Sequence, residues 1–273
     1  MNKKVILLTG ASSGIGYETA EFLAKQGHIV YGAARRIEQM EPLKAFGVKP
    51  IRLDVTSQES IDEAVAAIVQ AEGRIDVLVN NAGYGSYGAL EDVSIEEARK
   101  QFDVNIFGVA MLTKKVLPYM REQHSGTIIN VASIGGRLTT YFGAWYHATK
   151  YALEALSDAL RMETKDFGIQ VSIIEPGGIK TPWGFIAADL LAESAKGGAY
   201  EQQASKTAKG MRKQYEGNMM SKPIVIAKAI SRAVNSRRPK TRYTVGFMAK
   251  PLVWLHTWLP ARWFDVLMRN ASI

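Results

Sequence analysis

A chain of 273 residues, 47% hydrophobic and 22% charged, has the composition of a soluble globular protein and the length of one doubly wound α/β domain with a substantial core. It contains no cysteine, which excludes disulfides, thiol catalysis and thiolate metal sites and suits a reducing cytoplasm. The net charge of +8 is spread along the chain with no nucleic-acid motif, so an anionic cofactor is the expected partner, and the scattered His28, His124, His147 and His256 offer no metal-ligand spacing.

The chain opens with two lysines and an apolar run at residues 5–8, shorter than the roughly 7–15 residues of a signal-peptide core, so "KVILLT" reads as a buried strand. "GYETAEFLAKQG" follows as a helix closed by Gly27, then "IVYGAA" and "KPIRLD" as strands. "SQESIDEAVAAIVQAEG" is a helix capped near Ser57 and Ser60 and closed at Gly73. "IDVLVNNAG" is a fourth strand running into a turn, and residues 95–121 form a long helical region with an expected break near Gly108. "GTIINVAS" is the fifth strand, residues 145–167 a helix, "IQVSIIEPGG" the sixth strand, "PIVIAKAISRAVNS" a late helix and "RYTVG" a short last strand. Alternation of helices with near-continuous apolar strands predicts a parallel sheet covered on both faces. Residues 183–221 break the rhythm and are too long for an ordinary connection, so they are expected to form a partly helical substrate lid. No segment reaches the roughly 18 uninterrupted apolar residues of a membrane span.

"TGASSGIG" joins the first strand to the first helix. Its glycines allow a sharp turn and a close backbone approach to a pyrophosphate, with helix-start N–H groups facing the phosphates. Gly10, Ser12, Ser13, Gly14, Ile15 and Gly16 are therefore candidate cofactor residues. The second strand ends in "YGAARR". Ala34 stands where a carboxylate would bind the ribose of NAD, and Arg35 and Arg36 favour the 2′-phosphate of NADP(H) over NAD(H). Asp54, with Val55 beside it, is placed to meet the adenine. In "WYHATK", Tyr146 and Lys150 lie one helical turn apart. A protonated Lys150 is expected to lower the Tyr146 pKa and fit the phenol for proton exchange with an alcohol or alkoxide.

"TGASSGIG", "NNAG", "VNIFG", "NVAS", "YHATK" and "EPGGIKT" occur in this order and together resemble the short-chain dehydrogenase/reductase family. The resemblance covers roughly residues 3–181 closely. It implies a Rossmann-type, seven-stranded parallel sheet in a single domain and a catalytic tetrad of Asn105, Ser133, Tyr146 and Lys150. Tyr146 would be the general acid/base and Ser133 would hold the carbonyl oxygen. Lys150 would hold the nicotinamide ribose, and Asn105 would kink its helix and anchor a water of the proton relay. Asn81, Ala82 and Gly83 would line the adenine-ribose side, and Pro176, Gly177, Ile179 and Thr181 the nicotinamide side. The implied activity is NADP-dependent hydride transfer between nicotinamide and a ketone/secondary alcohol pair or an aldehyde. A non-catalytic NADP-binding sensor on the same fold is the alternative, which an intact tetrad disfavours. An epimerase or dehydratase of the extended group is disfavoured by the spacing of the glycine turn.

"EPGGIKTPWGF" resembles the steroid- and retinoid-dehydrogenase branch. Leu138, Tyr141, Trp145, Trp183, Phe185 and Tyr84 are candidate lining for a bulky apolar substrate, or simply core. Apolar residues on the helices near 98–119 and 146–167 suggest a homodimer or homotetramer, as the family implies. The extension at 248–273 carries Trp254, Trp258 and Trp263 among leucines, with Lys250, Arg262 and Arg269 nearby and Pro260 dividing it. Packing over the pocket and against the lid is the expectation, ahead of peripheral membrane contact.

Overall fold

The computed structural model describes residues 3–271. Its seven strands are β1 (Val5–Thr9), β2 (Ile29–Ala34), β3 (Lys49–Arg52), β4 (Val77–Asn80), β5 (Gly126–Val131), β6 (Ile169–Pro176) and β7 (Arg242–Val245). All neighbours pair in parallel, in the order β3-β2-β1-β4-β5-β6-β7. The helices are α1 (Gly14–Lys25), α2 (Gln58–Glu72), α3 (Ile95–Phe102), α4 (Gly108–Glu122), α5 (Ala144–Thr164), α6 (Trp183–Ser194), α7 (Glu201–Glu216), α8 (Ile224–Asn235), α9 (Ala249–Trp258) and α10 (Ala261–Ala271).

Every residue of "VILLT" in β1 is buried because alternate side chains serve two cores. Ile6 and Leu8 join Leu23 of α1 and Ile230 of α8 on one face. Leu7 joins Ile61 and Ile68 of α2 with Leu112 and Val116 of α4 on the other. This two-sided burial is why the strands read as apolar runs rather than as alternation. Burying a leucine or isoleucine of this kind stabilises by about 1.5–3 kcal/mol. α2 starts where Ser57 Oγ accepts the Ser60 N–H and ends at Gly73, whose φ of 72° closes the helix.

Two local expectations are revised. The break expected at Gly108 is instead a turn of π-helix at Asp103–Phe107, which links α3 and α4 without ending the helix. Gly108 is small for a different reason: a Cβ there would lie 2.7 Å from the Val55 carbonyl oxygen. Between β2 and β3, residues 37–46 wind as 3₁₀ helix with Pro42 inside it, where no element was expected. Residues 183–221 contain α6 and α7, which pack on each other through Ala187, Ala188, Leu191, Ala204 and Ala208. No helix among the described residues is long and apolar enough to cross a membrane.

Candidate active site at the carboxyl ends of the strands

The glycine turn leaves β1 at its carboxyl end. Gly10 and Gly14 have φ of 70° and 55°, which other L-residues resist. A Cβ on Gly16 would lie 2.1 Å from the Gly10 carbonyl oxygen, so this position admits only glycine. Ser13 is the N-cap residue of α1, and Ile15 packs against the core beneath it. Asn81 fastens the turn to β4: its Nδ2 donates to the Thr9 carbonyl at 2.9 Å, and the N–H groups of Asn81 and Ala82 both donate to Thr9 Oγ1. Thr181 lies against Gly14 from the opposite side. A bare-backbone cradle at a helix start, walled by Asn81 and Thr181, fits a dinucleotide pyrophosphate.

Arg35 and Arg36 project into solvent just beyond β2. Burial works against ionisation of Asp54. It is outweighed by hydrogen bonds from the Thr56 N–H and hydroxyl and by the charge of Arg35, which together hold the carboxyl below its ordinary range. Val55 packs under Gly108. Ile179 is buried in the core, and Pro176 and Gly177 join β6 to the strand beside it.

The four tetrad residues converge from β5, α5 and the π turn. Ser133 follows β5; its Oγ accepts from the Gly135 N–H at 3.0 Å, donates to the Pro176 carbonyl at 3.5 Å, and is near enough to Tyr146 to favour its phenolate. Lys150 Nζ donates to the Val131 carbonyl at 3.1 Å, and lies 5.9 Å from the Tyr146 ring centroid. Asn105 projects from the π turn. Its Oδ1 accepts the Tyr84 N–H, while its Nδ2 donates to the Tyr84 carbonyl and to Thr149 Oγ1. Both amide hydrogens are thereby used, and one lone pair of Oδ1 is left for a further partner. Gly83 fits between Asn105 and Lys150, where a Cβ would come within 2.9 Å of Asn105 Oδ1.

One expectation reverses. Spacing alone suggested that Lys150 lowers the Tyr146 pKa. Here burial dominates both groups: it pushes Tyr146 up to about 12, against a lowering contribution from Ser133, and pushes Lys150 down to about 8. At neutral pH Tyr146 is a neutral phenol with its proton in place, and Lys150 remains mostly cationic. A phenol in that state can donate a proton to a carbonyl oxygen that gains charge.

Aromatic rings cover Tyr146. Trp183 lies 5.1 Å from it and Tyr87 5.6 Å, centroid to centroid. Gly85 permits this, since a Cβ there would meet Trp183 at 2.4 Å. Phe185 packs on Tyr215, Tyr141 stacks on Phe142, and Leu138 is buried behind the turn after Ser133. Trp145 and Tyr84 do not join this group. Trp145 is one residue from Tyr146, about 100° round the helix, and faces a separate groove with Ile95, Phe102 and Phe107. Tyr84 bonds Glu97 through its hydroxyl. Tyr87 and Tyr215 were missed from sequence. Tyr87 sits just past "NNAG", where its place after the strand end was the available signal; Tyr215, on α7, had none.

Behind Lys150 lies a charge cluster from four elements, two buried carboxylates met by partly exposed arginines. Glu154, one turn further along α5, accepts from Arg242 Nε at 3.0 Å; Arg242 also reaches Asp158 at 2.6 Å and Glu175 at 3.4 Å. Glu175 is fully buried, paired with Arg137 at 3.1 Å and hydrogen-bonded by Thr244. Burial and the Glu175 charge push Glu154 up to about 7, against the pull of Arg242 and Arg137.

A sequence profile for short chain dehydrogenase matches residues 4–185. The chain belongs to the short-chain dehydrogenase/reductase family. Like the family, it is an NAD(P)-dependent oxidoreductase acting on carbonyl/alcohol pairs. It is 37% identical to a 3-ketodihydrosphingosine reductase of Bacteroides thetaiotaomicron over 272 residues, 98% of each chain. A short-chain dehydrogenase of Streptomyces avermitilis superposes with a TM-score of 0.80 at 37% identity, covering 94% of this chain and 93% of that one. The closed form of a serine dehydrogenase complexed with NADP+ superposes with a TM-score of 0.75 at 26% identity, covering 89% and 94%.

Proposed function

We propose that this short-chain dehydrogenase/reductase is an NADPH-dependent reductase of a ketone carried on a bulky, apolar, lipid-like substrate. The observation that carries the reading is the aromatic cover of Tyr146 by Trp183 and Tyr87, beside the Ser133 hydroxyl. A carbonyl held there meets two hydroxyls and otherwise apolar surface. The nicotinamide, when bound, supplies the hydride. Tyr146 donates the proton to the carbonyl oxygen, Ser133 orients that oxygen, Lys150 binds the cofactor ribose, and Asn105 fixes the 84–85 loop. Arg35 and Arg36 favour NADP(H) by pairing with a 2′-phosphate.

The name of the Bacteroides relative, a reductase of a long-chain keto compound, supports the lipid class. The likeness of "EPGGIKTPWGF" to steroid and retinoid dehydrogenases supports the same class. A sensor without turnover would have no use for a proton-bearing Tyr146. The groove beside Trp145, flanked by exposed Ile95 and Phe107, supports a homodimer or homotetramer. The test is NADPH consumption with long-chain 3-keto amines, ketosteroids, retinal and small polar ketones. Turnover of one of the lipids well above the small ketones is expected; preference for a small polar ketone or a sugar overturns the substrate class, and no turnover of any carbonyl favours the sensor.

A further inference from the structure

The three tail tryptophans do not pack as expected. Trp254, Trp258 and Trp263 are 64%, 71% and 70% exposed, and Val266 and Leu267 are also exposed. What anchors the tail is a smaller set of residues. Ala249 and Phe264 are buried, and the Phe264 ring meets His256 edge-on at 4.8 Å. The Arg269 guanidinium lies 5.8 Å from the Tyr141 ring centroid, at the loop after Ser133. Phe247, just before α9 and itself exposed, contacts Gly178 beyond β6. The tail therefore touches the segments that follow β5 and β6 while presenting its largest rings to solvent.

The exposed residues form stripes. On α9, Lys250, Trp254 and Trp258 recur every fourth residue; on α10, Trp263, Val266 and Leu267 share one face, and Arg262 and Arg269 run along its edge. α9 carries no acidic residue, and Asp265 is the one acid of α10. Indole is suited to a surface apolar on one side and wet on the other, and an apolar stripe edged by cations is the signature of a helix lying in a lipid interface. At about 15 Å, α9 is half the thickness of a bilayer core, so it can lie on a membrane but not span it.

A second copy of the chain is a poorer occupant. A two-fold contact through this face would set a surface of three cations, Lys250, Arg262 and Arg269, and one acid, Asp265, against its own copy. The groove beside Trp145 carries Arg99 and Asp103 in balance, and so is the better self-complementary surface.

We propose that α9 and α10 form an interfacial docking surface for anionic lipid, seating the site mouth against the bilayer. The proposal is independent of the substrate reading, because binding is measured without substrate or cofactor. The full-length protein is sedimented with phosphatidylglycerol-containing and with pure phosphatidylcholine vesicles, and indole emission is recorded. It should pellet with the anionic vesicles, shift its emission to the blue, and release as salt is raised. Trp254→Ser/Trp258→Ser/Trp263→Ser should weaken vesicle binding at least about tenfold while NADPH binding and the circular dichroism spectrum stay unchanged. Lys250→Glu/Arg262→Glu should remove the preference for anionic over neutral vesicles. Failure to pellet with anionic vesicles at low salt overturns the proposal. So does a triple-tryptophan variant that pellets normally but has a smaller mass in light scattering, which would make the face a contact between copies.

Discussion

Replacing Glu154 by glutamine tests the charge cluster behind Lys150. The carboxyl has an ordinary pKa of 4.5 in the unfolded chain and about 7 in the folded one, because burial and Glu175 together outweigh Arg242. The folded-state value is raised, so the folded state holds a proton that the unfolded state gives up. The resulting stability is fully present below about pH 4.5 and is lost as pH rises through about 7. Between about pH 5 and pH 8 a shift of this size removes roughly 2–3 kcal/mol from the folding free energy. Glutamine keeps an acceptor for Arg242, removes the ionisation and replaces Glu154 Oε1, which has no hydrogen-bond partner. Urea unfolding of both proteins across this range should show the variant gaining on the native chain by about that amount as pH rises. A stability difference that stays flat with pH would show that Glu154 ionises normally, and that burial does not govern the cluster.

Three further outcomes follow from the site and its surroundings. Tyr146→Phe keeps the ring between Trp183 and Tyr87 but removes the proton, so turnover should fall by at least about a hundredfold while the NADPH dissociation constant barely moves; near-normal turnover would remove Tyr146 from the chemistry. Arg35→Ala should reduce the preference for NADPH over NADH by about tenfold to a hundredfold, read by titrating both cofactors, and equal affinities in the unmodified protein would contradict the assignment. Phe107→Glu places a charge in the groove beside Trp145 and should lower the mass in light scattering towards that of one chain, whereas an unchanged mass would move the subunit contact elsewhere.

The parts legible in the sequence are those whose physics is local. The glycine turn could be read because Gly10, Gly14 and Gly16 answer to backbone angles and close approach within one stretch. The strands could be read because two-sided burial leaves a continuous apolar run. Tyr146 and Lys150 could be paired because helical spacing fixes their neighbourhood. Spacing does not report burial, however, and burial decided the direction of both shifts. Glu154, Glu175, Arg137 and Arg242 could not be assembled from sequence, since they come from separate elements and each looks like an ordinary surface charge. Trp145 was read with Tyr146 because adjacency along a chain resembles proximity, whereas a helix sends neighbours in different directions. The tail tryptophans were expected inside because large rings usually are, and nothing in a short amphipathic segment tells which side meets the protein.

The π turn at Asp103–Phe107 makes the length of this stretch as much a determinant of the fold as its composition. α3 faces α5, while α4 must set Leu112, Val116 and Met120 against the sheet, and the wider turn supplies the phase offset between these two demands. Winding the same residues as ordinary α-helix would rotate all of α4 by about 100° relative to α3. Its apolar row would leave the sheet, and Asn105 would swing away from Tyr84. A one-residue deletion there should therefore be absorbed by ordinary winding, with α4 kept against the sheet, whereas a two-residue deletion should not be tolerated.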